Sequence, residues 1–104
     1  MNQFKINFDE LEWENSATGA RFKAFRQKGR QIRLVEFTKD FVELDWCVKS
    51  HIGFILEGEL EIDFGGEVIN YGTGQGIFIL NGETNIHKAH SVTPLVKLIL
   101  VEDC

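Results

Sequence analysis

The chain has 104 residues, a formal net charge of −5, and 43% hydrophobic against 26% charged residues. At this length one core encloses very roughly 65% of the unfolded surface, which leaves no room for a second domain, and the apolar content excludes a disordered chain. The acidic balance argues against a nucleic-acid partner, no apolar stretch reaches the length of a membrane span, and the acidic opening MNQFKINFDELEWEN is not a basic-then-apolar leader, so a cytoplasmic location is expected.

The first element with any helical character is the short FDELEWEN, residues 8–15; no later segment repeats apolar residues at three and four. In ARFKAFRQKGRQIRLVEF, Phe22 and Ala24 alternate with Arg21 and Lys23 as far as Lys28-Gly29. Alternation then resumes with Ile32 and Leu34 against Arg33 and Val35. That is the pattern of a β-hairpin, and it makes the basic residues from Arg21 to Arg33 a solvated face. In GELEIDFGGEVINYG, Leu60, Ile62 and Phe64 alternate with Glu59, Glu61 and Asp63, which places the apolar set in the core and the acids in water. Gly65-Gly66 then supplies the turn. GIFIL, residues 76–80, and LVKLILVE, residues 95–102, are apolar on both faces, as strands covered on each side are. Glycines punctuate these segments between Gly53 and Gly82, and the lone Pro94 precedes the last strand. The expected fold is all-β with little helix, a sandwich or small barrel of seven or more short strands.

Metal-capable residues are few, and they gather in WCVKSHIG and near HKAH. On a regular strand Asp45 and Cys47 share a face with Trp46 turned away, and Asn85 and His87 share another from which His90 is excluded by its odd offset. Thiolate and imidazole donors from Cys47, His51 and His87 suit zinc and other divalent transition metals, with Asp45 or Asn85 placed to bind a ligand. Local pattern alone also fits Cys47 as a small buried hydrophobe, His51 as a structural histidine at a strand start, and His87 and His90 as solvated histidines in a polar connection. Cys104, far from Cys47 in sequence, completes no disulfide framework.

FILEGELEIDFGGEVINYGTGQGIFILNGE resembles the conserved core of the cupin superfamily, in which an apolar triplet runs into Glu-Gly-Glu, a hairpin follows, and a second Gly-rich motif leads to a strand ending in Pro-x-Gly. Here Phe54-Ile55-Leu56 is the triplet, Glu57-Gly58-Glu59 the turn, and Tyr71 to Gly82 the second motif, with Leu80 in place of the proline. The resemblance covers residues 43–102 and implies a cupin-like β-barrel, a double-stranded β-helix or jelly roll, spanning residues 1–104 as a single domain, with additional N-terminal strands and a hairpin in residues 1–42. The His-x-His and Glu positions of the first cupin motif fall on Asp45, Cys47 and His51, and the histidine of the second falls on Asn85, with His87 two residues on. It thus implies an interior pocket that holds a divalent metal (Zn, Fe, Ni or Mn) and a small organic molecule, with Gly53 leaving space beside the ligands. The alternatives are a metal-free binding module and an interaction domain with a side-chain-filled barrel. Apolar content on both faces of 54–56 and 95–101, with the pairing common among small cupins, implies a homodimer.

Overall fold

The computed structural model describes residues 4–103, so Cys104 lies outside the described residues. Nine strands occur among them: β1 (Glu14–Ala17), β2 (Ala20–Gln27), β3 (Arg30–Thr38), β4 (His51–Glu57), β5 (Leu60–Asp63), β6 (Val68–Tyr71), β7 (Gly76–Ile79), β8 (Lys88–Ser91) and β9 (Leu95–Asp103). They form two antiparallel sheets, one of six strands in the order β1-β2-β3-β9-β4-β7 and one of three in the order β6-β5-β8. The helical expectation for residues 8–15 reduces to one 3-10 turn, Phe8–Glu10, started by the Asn7 carboxamide accepting from the Asp9 amide at 3.1 Å. Glu14 and Asn15 instead pair with Phe22 and Arg21, because an edge strand on a long hairpin satisfies more backbone than an isolated helical turn.

The hairpin forms where the alternation predicts. Gln27 pairs with Arg30, and Lys28-Gly29 take φ of 51° and 77°, both positive as a two-residue turn matched to strand twist requires. Leu60 and Ile62 are buried and Phe64 packs against the same core, which confirms the inward face read for this strand. Ala20 and Val35 from the N-terminal hairpin share that core with Ile55, Leu98 and Val96, so residues before the cupin-like motif are part of the interior.

Cross-strand register defines the two faces of the large sheet. One inner row runs Ala24, Arg33, Leu100, Gly53, Ile77; another runs Phe22, Val35, Leu98, Ile55. Two outer rows run Phe25, Ile32, Val101, Ile52, Phe78 and Lys23, Leu34, Ile99, Phe54, Gly76. Two expectations are corrected by these rows. Strand β7 is an edge strand covered on one side only: Ile77 and Ile79 are buried, whereas Phe78 is 73% exposed and Phe54 beside it on β4 is 46% exposed. Arg33 is not on a solvated face, because its register with Ala24 and Leu100 turns it inward.

Candidate metal centre and ligand cavity

Between the sheets lies a cavity of about 670 Å³, so the barrel is not filled by its own side chains. Large-sheet residues Val35, Ile77, Ile79, Leu98 and Leu100 face Leu60, Ile62 and Ala89 of the small sheet across it. The segment between β3 and β4 borders it with Asp40, Val42, Leu44 and Asp45, all exposed, and this segment marks the mouth.

One end of the cavity carries the polar chemistry. Residues 42–47 run beside β8: Val42 bridges to His90, and Cys47 and His87 exchange both backbone hydrogen bonds, at 2.8 and 3.0 Å. Directly paired residues of antiparallel chains point their side chains to the same face, so this exchange sets the Cys47 thiol beside the His87 ring. His51 opens β4 opposite Ile79, and its ring meets that of His87 edge-on with centroids 5.1 Å apart. One donor atom from each of Cys47, His51 and His87 lies within 4.8 Å of the others. Donors on a tetrahedral zinc stand about 3.5 Å apart by its usual bond lengths, so the set is open by about an ångström.

Hydrogen bonds at the far side of each ring fix which nitrogen is free. His51 Nδ1 donates to the Glu102 carboxylate at 2.5 Å, and His87 Nδ1 donates to the Asn85 carbonyl at 2.8 Å. Both acceptors hold the proton on Nδ1 and leave a lone pair on Nε2, the arrangement that metal-binding histidines use. His51 Nε2 stands 3.7 Å from Cys47 Sγ, whereas His87 Nε2 is buried with no hydrogen-bond partner among the described residues. Glu102 in turn accepts from Arg33 Nε at 2.5 Å, from Arg33 Nη2 at 2.9 Å and from Gln31 Nε2 at 3.2 Å. Burial alone raises its pKa, but the hydrogen bonds from His51 and Arg33, with the positive charge of Arg33, outweigh that and hold it down at about 2.

The structure brings Cys47, His51 and His87 together, and it distributes the other named residues around them. Asp45 is exposed at the cavity mouth, where a bend interrupts the strand parity with Cys47. Asn85 contributes its carbonyl to His87, and the residue also lines a separate pocket with Phe64, Phe78, Ile79 and Leu80. His90 faces away from the cavity and pairs with Glu61 at 3.0 Å. Gly53 does not open space beside the ligands. A Cβ there would run into the Ile99 carbonyl and come within 2.8 Å of Leu100 Cδ2, so the glycine admits the close approach of β9. Sequence reasoning missed Glu102 and Arg33. Glu102 continues the inward even-numbered series Val96, Leu98, Leu100, and that series is the local signal that marks it.

No protein-family model matches the chain, and no curated protein matches it. Solved structures do. KdgF from Halomonas sp. superposes with a TM-score of 0.76 at 19% identity, over 91% of this chain and 89% of that one. A cupin-2 domain containing protein from Shewanella frigidimarina superposes with a TM-score of 0.68 at 21% identity, over 95% of this chain and 94% of that one. The chain has the cupin fold. The cupin fold also appears with a TM-score of 0.74 at 16% identity against the iron(II) form of HppE, over 93% of this chain and 58% of that one. Sequence identities this low carry the architecture and leave the chemistry of the site to its own residues.

Proposed function

We propose that the protein binds a divalent transition metal on Cys47, His51 and His87 and a small organic molecule in the adjoining cavity. The observation that carries this reading is the pair of imidazoles locked at Nδ1 with their Nε2 lone pairs beside a thiol, one of them buried and unpartnered among the described residues. A buried polar atom left unsatisfied costs roughly 1–3 kcal/mol, which a ligated ion offsets. Three protein donors leave a position for an exogenous ligand, and the ion, when bound, supplies Lewis-acid polarisation of that ligand's oxygen. Within the chain, Glu102 orients His51 and the Asn85 carbonyl orients His87. Arg33 keeps Glu102 ionised, and the apolar walls exclude water. A thiolate with two imidazoles favours zinc among Zn, Fe, Ni and Mn, and a fold neighbour holding iron(II) supports metal use on this scaffold.

Metal analysis of untagged protein tests the reading. Stoichiometric zinc is expected, with Cys47→Ser and His87→Ala each weakening binding at least 10- to 100-fold, the range that even indirect ligand support commands. His90→Ala should retain the metal. A parent protein that takes up no ion under any loading condition would leave the second reading, a metal-free binding module, which the 3.7 Å contact of Cys47 Sγ with His51 Nε2 favours by giving that imidazole a partner already.

The assembly we propose is a homodimer through the outer apolar rows of the large sheet. A reduced thiol ligand supports residence in the cytoplasm, and a net charge of −5 supports the absence of a nucleic-acid partner. Among the described residues no helix is long and apolar enough to cross a membrane.

A further inference from the structure

We infer that the cavity's ligand is an apolar molecule with a single oxygen-chelating head, neutral or singly ionised, and not a polyhydroxylated or multiply anionic metabolite. The inference rests on the metal reading for the head and on the cavity wall for the body.

Every buried residue that lines the cavity is apolar except His87. Much of the hydrogen-bonding capacity at the inner end is already committed. Arg33 gives Nε and Nη2 to Glu102, and its guanidinium lies 4.8 Å from the Phe22 ring centroid. His51 and His87 spend Nδ1 on Glu102 and Asn85. At the mouth, the Glu43 carboxylate accepts the Ala89 amide at 2.9 Å. What remains for an occupant inside, among the described residues, is chiefly the cluster of Cys47 with the two Nε2 atoms, beside the Arg33 N–H groups not given to Glu102.

A sugar-like molecule entering this space would lose water from each hydroxyl and find few groups on the inner wall to replace it, because Ser16, Thr18, Asp40 and Asp45 lie at the exposed mouth. An apolar body loses nothing of that kind and gains by leaving water. The charge pattern narrows the head. The positive charge of Arg33 is matched by Glu102, and the mouth carries Asp40, Glu43 and Asp45, so a phosphate or dicarboxylate meets like charge on entry and no free cation inside. A vicinal hydroxy-ketone on an apolar ring satisfies all of these conditions: its two oxygens reach the metal end and the rest of the molecule presents carbon to the walls.

Tropolone and 4-isopropyltropolone carry the same chelating head and differ only in apolar bulk, and kojic acid carries a comparable head on a polar body. Calorimetric titration of the zinc-loaded protein should show 4-isopropyltropolone binding about tenfold or more tightly than tropolone, by the area its three added carbons remove from water. Kojic acid should bind more weakly than tropolone. Val35→Thr, which keeps the side-chain shape but adds a hydroxyl to the wall, should erase most of the gain from the isopropyl group, and circular dichroism checks that the variant is folded. Equal affinity for the two tropolones, or tighter binding of kojic acid, in protein with stoichiometric zinc would overturn the inferred ligand class and leave the metal reading standing. If no zinc binds, 4-isopropylphenol against phenol decides separately. A preference for the isopropyl compound keeps the apolar body and removes the metal head, and no preference removes both.

Discussion

Glu102 receives hydrogen bonds from Arg33, Gln31 and His51, and it is buried. Its carboxyl is ionised far below its ordinary range, at about 2 against 4.5. A depressed folded-state pKa means that its contribution to stability is fully present above about pH 4.5 and is lost as the pH falls from there through about 2. Urea unfolding of the metal-free protein at pH 5, 3.5 and 2 should show that loss, and Glu102→Gln should flatten the slope across the same window. An unchanged slope in the variant would assign the acid sensitivity to other carboxylates. The same substitution weakens the acceptor for His51 Nδ1, so zinc affinity should fall by about 10- to 100-fold although Glu102 is not itself a proposed ligand.

Strands β4 and β9 meet at Gly53, where a Cβ has no room against the Ile99 carbonyl. The approach brings Leu100 opposite Gly53, and two residues further along β4 places His51 beside Glu102. Gly53→Ala should push the strands apart and destabilise the fold by about 1–3 kcal/mol, the usual range for overpacking, with a loss of zinc affinity alongside. Chemical denaturation measures the first effect and metal competition the second. A variant as stable as the parent would show that the sheet yields here without cost. The element also explains why one glycine invited a wrong reading from sequence: a missing side chain leaves space only when no other backbone occupies it.

At the level of the molecule, the outer rows from Phe25 to Phe78 and from Leu34 to Phe54 form an apolar sheet face that includes two strongly exposed phenylalanines. Interfaces of this kind are favoured by the apolar area they withdraw from water. Light scattering at micromolar concentration should give a dimer mass for the parent. Phe78→Asp should give a monomer that retains zinc, because its side chain points away from the cavity. A parent that scatters as a monomer would remove the proposed assembly.

An all-β architecture of seven or more strands was legible because its signals are local: period-two alternation in residues 20–38 and 59–71, glycines at the turns, and the Glu57-Gly58-Glu59 corner; β1, which begins inside the segment read as helical, was not. Residue types local to WCVKSH and HKAH marked Cys47, His51 and His87 as candidate donors. Their convergence is a different matter. It depends on Cys47 pairing with His87 across forty residues of chain, on the register that turns Arg33 inward, and on the β4–β9 approach that delivers Glu102 to His51. Alternation states which residues share a face but not which face is inside when both are partly apolar, as on β3, β7 and β9. That choice follows from which strand lies alongside and what covers it, so it was settled by the packing of the two sheets and by the apolar area they withdraw from water between them.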